Sequence, residues 1–218
     1  ILSDAEDLGV RTAQAYIALR RNNAPVLARL AADLARDQGG RTEVNFYLTA
    51  LSHKLNRYEE SRRYFERAVM SEPTNYDMYI ERANESMTIA ESSTLPDADK
   101  QLELRMARVL VETALECKAD SYEALTGLAL VSLRQGRTDE AVRMARAATG
   151  AGPSYPAGFF ALSAAYAAAG NSSDAAAAVL KAGQLDVPNL DGRGVPTTDM
   201  AWRYFMQLGR SPLLTAPK

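Results

Sequence analysis

The sequence contains one cysteine, Cys117, one histidine, His53, and one tryptophan, Trp202, in 218 residues. A single cysteine excludes an internal disulfide and any cysteine-based metal cluster. A single histidine leaves nothing to build a relay or a metal centre on, so His53 reads as a polar surface or groove residue. Cys117 reads as a half-buried structural thiol. No sign of charge dominates. The net charge is −2, with 15 basic and 17 acidic side chains in residues 1–109 and 10 of each in 110–218. That balance excludes the basic bias of a nucleic-acid-binding protein. No apolar run reaches the ~18–20 residues that span a bilayer, so direct membrane insertion is not expected. The nearest, AGFFALSAAYAAAG at 157–170, stops at Gly170. The first residue is Ile1 rather than methionine. This fits a processed or trimmed chain, either cytoplasmic or periplasmic and outer-membrane-associated after signal removal.

What is present in quantity is alanine and leucine, and they recur. A shift of 34 residues places Leu128 on Leu162, Gly136 on Gly170, Ala141 on Ala175 and Ala148 on Ala182. Ala107 and Ala114 precede Ala141 and Ala148 by the same 34. One step earlier, Ser61 to Ala107 and Ala68 to Ala114 are 46 apart, so 12 extra residues lie between. Leu48 to Leu128 is 80, two periods plus 12, which puts the insertion inside the second unit. The polar segment TIAESSTLPDADK (88–100) fits it. Elsewhere the same place holds a short turn: KLNRY, RQGRT or AAGNS. Such a period marks a stacked array of units, none of which can bury its apolar face alone.

The residue types at these spacings resemble the tetratricopeptide repeat family over residues 42–187. The fourth unit shows it in Phe159, Leu162, Ser163, Tyr166, Gly170, Ala175, Val179 and Ala182. The third shows it in Leu125, Leu128, Ala129, Gly136, Ala141, Ala145, Ala148 and Pro153. The resemblance implies an all-α fold, a right-handed superhelical solenoid of antiparallel helix pairs in one domain over 1–218. The expected parts are a degenerate pair at 4–38 and repeats at 42–75, 76–121 (with the insertion), 122–155 and 156–189. A capping helix at 197–209 follows, its Ala201, Tyr204, Phe205 and Leu208 spaced i, i+3, i+4, i+7. Asp97 is expected to cap a long second helix running to about Cys117.

One stretch suggests chemistry. TGAGP (149–153) has the glycine spacing of a phosphate-cradling loop. Such a loop needs a strand before it and a helix N-terminus after it, and here a helix precedes it and a proline follows. It reads as a helix stop. In YEESRRYFERA (58–68), Glu59–Arg63 and Arg62–Glu66 are i, i+4 pairs of an exposed helix face. No constellation for catalysis, cofactor or metal stands out, so no enzyme activity and no cofactor are expected.

The family resemblance places partners on the inner face, which the first helices line. The corresponding residues are Glu43, Phe46, Tyr47 and His53 in the first unit and Asp77, Ile80, Glu81, Asn84 and Met87 in the second. The third contributes Glu123, Thr126, Leu130 and Arg134, and the fourth Phe160. One family subtype grips a carboxylate tail with cations on these helices. Here Phe46 stands at the first such position and only Asn84 resembles a clamp residue. A carboxylate would meet Glu43, Asp77 and Glu81 instead, which argues against that ligand. The expected partner is a protein or peptide segment, apolar with basic residues, or a second copy of the chain. The expected role is a scaffold. The 20 arginines against 5 lysines resemble the usage of GC-rich bacteria, where similar repeat proteins serve envelope assemblies such as pili, secretion systems and polysaccharide exporters.

Overall fold

The computed structural model describes residues 10, 11, 14, 24–38, 42–55, 57–91 and 95–185. Val10, Arg11 and Gln14 are helical. The rest of the first helix of the 4–38 pair, and the expected capping helix at 197–209, lie outside the described residues. The chain groups into two compact units, Ile1–Met78 and Tyr79–Lys218.

In the first unit, α1 (Ala24–Gln38), α2 (Thr42–Lys54) and α3 (Tyr58–Ser71) follow one another. Their core is Leu30, Ala31, Leu34, Val44, Leu48 and Leu51, with Val26, Ala35, Leu55 and Tyr64 packed against it. Ser61 and Ala68, the small residues of the repeat, are fully buried. They let α3 approach α2 closely. On the exposed side of α3, Glu59 pairs with Arg62 at 2.7 Å, one residue earlier than the expected Arg63. The Arg62–Glu66 contact, at 3.9 Å, is the looser of the two.

The second unit holds α4 (Tyr76–Ala90) from Tyr79 onward, α5 (Asp97–Cys117), α6 (Tyr122–Arg134), α7 (Thr138–Ala151), α8 (Pro156–Ala168) and α9 (Ser172–Leu185). Met87, Ala107, Ala129, Leu130, Val131, Ala145, Ala161, Leu162 and Ala178 form its core. Ala107, Ala114, Ala141, Ala145 and Ala148 have no exposed surface, so the expected packing positions are the packing positions found. The insertion lengthens α5 to 21 residues, beginning seven before the position equivalent to the start of α7. Its N-cap is Pro96 rather than Asp97, with no side-chain cap. Asp97 and Asp99 instead lie in the first turn, where carboxylates favour the helix dipole.

Two hydrogen bonds show how faithfully the units repeat. Ser61 Oγ donates to the Thr49 carbonyl at 2.9 Å, and Ser163 Oγ donates to the Ala175 carbonyl at 2.8 Å. Position 163 follows 49, and 175 follows 61, by 114 residues, three periods plus the insertion. The same helix crossing is therefore bridged from opposite sides in the first and last pair. Between them the crossing is Ala129 against Ala141, both without exposed surface.

The turns inside the third and fourth pairs are Schellman stops. Gly136 (φ 73°) and Gly170 (φ 77°) take the left-handed conformation. Arg137 N–H reaches back to the Ser132 carbonyl at 2.8 Å and Asn171 N–H to the Tyr166 carbonyl at 2.9 Å. Arg57 N–H makes the same bond to Ser52 at 2.8 Å. A Cβ on Gly136 would touch nothing within 4 Å, so backbone conformation alone demands the glycine. Gly136→Ala is expected to lower the unfolding free energy by about 1 kcal/mol. Gly150 has the same open surroundings inside α7 with no positive φ, and Gly150→Ala should raise stability by about 0.5–1 kcal/mol. Urea unfolding of the two variants checks the opposite signs.

The helix stops between pairs also repeat. Glu72, Lys118 and Gly152 each donate N–H to the carbonyl four residues back, at 2.9 Å. Asn75, Ser121 and Tyr155 N–H then donate to the carbonyls of Glu72, Lys118 and Gly152 at 3.1–3.2 Å. TGAGP is one of these stops. Gly152 is buried beneath Tyr122 and Tyr155, whose rings stack at 4.1 Å and 9°. Its missing side chain makes room for tyrosines, not for a phosphate.

Candidate functional site

In the second unit, α4 presents Ile80, Asn84 and Met87 at i, i+4, i+7, and α6 presents Glu123, Gly127 and Leu130 at the same spacing. Together with Val111 of α5 these residues line one concavity. A Cβ on Gly127 would lie 3.0 Å from Val111 Cγ1, so glycine there lets α5 close the back of it. The floor is apolar. The rim carries Asn84 and Glu123, both half-buried. Glu123 is held in place, since the Ser121 hydroxyl donates to its Oε2 at 2.8 Å while Ser121 Oγ accepts from Ala124 N–H at 3.2 Å as the N-cap of α6. A carboxylate fixed on the first turn of a helix is favoured by the dipole and stays where it is put.

Five of the residues expected on the inner face therefore share this site: Ile80, Asn84, Met87, Glu123 and Leu130. Their exposure falls from rim to floor. Ile80, Met87 and Leu130 are only 4%, 1% and 2% exposed, and Thr126, beside Gly127, is 1% exposed. Met87 and Leu130 are members of the core, because close packing of α4, α5 and α6 draws these positions inward. Arg134 is taken up by an ion pair with Glu91, and Phe160 packs on the core cluster. Asp77 is exposed and Glu81 half-buried. His53, in the first unit, is half-buried with its ring centroid 5.3 Å from that of Tyr58. Glu43, Phe46 and Tyr47 lie on α2, their side chains outside the described set. Cys117 is exposed rather than half-buried, because α5 ends there and the chain turns away.

Sequence reasoning missed a polar junction joining three helices. Arg108 of α5 meets Glu140 of α7 through two bonds, at 2.9 and 2.7 Å. Its Nε contacts Glu112 at 2.8 Å, and Ser132 Oγ of α6 donates to Glu140 at 3.1 Å. The Arg108 bonds first, then the Ser132 bond and nearby Arg137, hold the Glu140 carboxyl down to about 2. Pairing opposite charges about one period apart would have found this contact.

The tetratricopeptide repeat family model matches residues 98–156 and 126–186. The chain carries tetratricopeptide repeats over residues 98–186. Its architecture is all-α, made of the helix pairs of that family. No curated protein sequence matches the chain. Among solved structures, the thermophilic tetratricopeptide protein TTC0263 of Thermus thermophilus is similar at 17% identity and TM-score 0.66, over 94% of this chain and 99% of that one. MamA 41-end from Desulfovibrio magneticus RS-1 is similar at 14% identity and TM-score 0.62, over 85% and 97%. Another MamA crystal structure is similar at 14% identity and TM-score 0.60, over 88% and 98%. At these identities the likeness is one of fold. Among the described residues of the repeat protein, no helix is long and apolar enough to cross a membrane and no acidic, His or Cys group could hold a metal ion.

Proposed function

We propose that this repeat protein is a non-catalytic scaffold that holds a protein or peptide segment in the concavity between α4 and α6. The observation that carries this reading is the concavity itself. An apolar floor of Ile80, Met87, Val111 and Leu130 lies beneath a rim of Asn84 and a fixed Glu123. The concavity is too small for a whole side chain, so the fit is a Lys or Arg head on Glu123 with its stem across the apolar floor. The setting we infer is a bacterial envelope assembly, where similar repeat proteins serve in GC-rich bacteria whose arginine usage this chain shares; fractionation of cells expressing the native protein tests it.

Selection of linear peptides from a random library against the full chain tests the reading. Selected peptides should carry Lys or Arg beside apolar residues, and Asn84→Arg with Glu123→Arg should weaken them at least about tenfold. Peptides that bind the double variant as tightly as the original protein would show that the concavity is not the site.

A further inference from the structure

One position of the repeat shows that the second unit is apolar and open at α9. Val111 of α5, Ala145 of α7 and Val179 of α9 follow one another at 34 residues. Val111 is 1% exposed and Ala145 0%, but Val179 is 45% exposed. The helix that follows each one makes the difference. α6 covers Val111 at Gly127, where a Cβ would lie 3.0 Å from Val111 Cγ1. α8 covers α7 in the same way. A Cβ on Gly158 would lie 3.3 Å from Thr149 N, and Arg146 Nε donates to Tyr166 Oη at 2.9 Å. α9 is the last helix among the described residues. In it Leu180 stands for Arg146 and Gly183 for Thr149. Leu180 is 65% exposed, and a Cβ on Gly183 would touch nothing within 4 Å. With exposed Ala176 and Val179 they form an i, i+3, i+4, i+7 stripe on α9. The stripe offers no polar side chain, so it fits an apolar helix face and not a second Arg146–Tyr166 contact.

We propose that residues 197–209 of the same chain dock on this stripe as a helix and close the open side of α9. Ala201, Tyr204, Phe205 and Leu208 stand at the same i, i+3, i+4, i+7 spacing. The sizes are complementary. Ala176 and Gly183 leave hollows on either side of Val179 and Leu180, which the rings of Tyr204 and Phe205 fill. Residues 186–196, with Pro188, Gly192, Gly194 and Pro196, form the connection. Eleven residues reach up to ~36 Å, well beyond the ~8–10 Å between the axes of packed helices. Tethering gives the segment an effective concentration on the order of millimolar, so it takes the stripe ahead of a second copy. Docking removes Val179 and Leu180 from water and withholds this face from other chains. This inference does not depend on what the concavity binds.

The test reads Trp202, the only tryptophan of the sequence, which lies three residues before Phe205. In the full chain its emission should be shielded from acrylamide, relative to a synthetic peptide of residues 197–209. The shielding should persist on dilution. Val179→Asp with Leu180→Asp should abolish it while the far-ultraviolet circular dichroism of the repeats stays the same. Phe205→Asp, which leaves the repeats untouched, should abolish it too, and decides the matter if the α9 variant fails to fold. Emission as accessible in the full chain as in the peptide overturns the proposal. So does shielding that survives either substitution in a folded chain, or shielding that fades on dilution, the sign of a second copy.

Discussion

Replacing Arg108 with methionine is expected to lower the unfolding free energy by about 2–3 kcal/mol. Arg108 and Glu140 are 17% and 22% exposed and joined by two short bonds, so removing the cation leaves a largely buried carboxylate with only Ser132 and the looser Arg137. Glu140→Gln should cost about 2 kcal/mol, since it retains the shape but not the charge. A double-mutant cycle in urea separates the pair from its surroundings. Arg108→Met with Glu140→Met should lose clearly less than the sum of the singles, because no buried charge is stranded. Losses that simply add would show the two side chains to be independent. The same carboxyl sets the acid limb of stability. Its value is lowered by folding, so its contribution is complete above about 4.5 and disappears as pH falls towards about 2. In Glu140→Gln that limb should be shallower. Glu85, paired with Arg82 at 2.9 Å and pushed up to about 7 by burial, works in the opposite direction on the alkaline side, its contribution being lost as pH climbs through about 7.

Gly152→Ala is the second large effect, expected to cost about 2–3 kcal/mol. A methyl group there would lie 2.7 Å from Cγ and 2.8 Å from Cβ of Tyr122, and 3.1 Å from Cδ2 of Tyr155. One of the close contacts is to Tyr122 Cβ, which a smaller side chain retains, so adding Tyr122→Ala should not restore stability. Full recovery in Gly152→Ala with Tyr122→Ala would mean that the ring alone forbids the methyl. Thermal melts of the single and double variants measure it.

These two sites show what the sequence conveys and what it does not. The 34-residue spacing located Ala107, Ala141, Ala148 and the Gly136 turn, because a repeat imposes the same small residue on the same crossing each time. It located the insertion for the same reason. The inner face was only partly legible. Position in the repeat assigns Met87, Thr126 and Leu130 to the groove side, but how far neighbouring helices close over them depends on local volumes such as the missing side chain of Gly127. The Arg108–Glu140 junction and the Arg82–Glu85 pair were not legible from helix periodicity. The first joins side chains 32 residues apart, and the second is an ordinary i, i+3 pair whose burial comes from the helix packed over it. The N-cap of α5 was misplaced by one residue, since a proline offers no side-chain acceptor and Asp97 does.

The stacked tyrosines have a use beyond packing. Tyr122 opens one helix pair and Tyr155 immediately precedes the next, so the two rings lie face to face only while consecutive pairs are docked. Near-parallel aromatic rings at van der Waals distance couple electronically, and their coupled absorption is optically active only in a fixed geometry. The protein therefore carries a built-in optical gauge. The tyrosine band in near-ultraviolet circular dichroism should report undocking of one pair from the next, even where the helices themselves stay intact and the far-ultraviolet signal does not change.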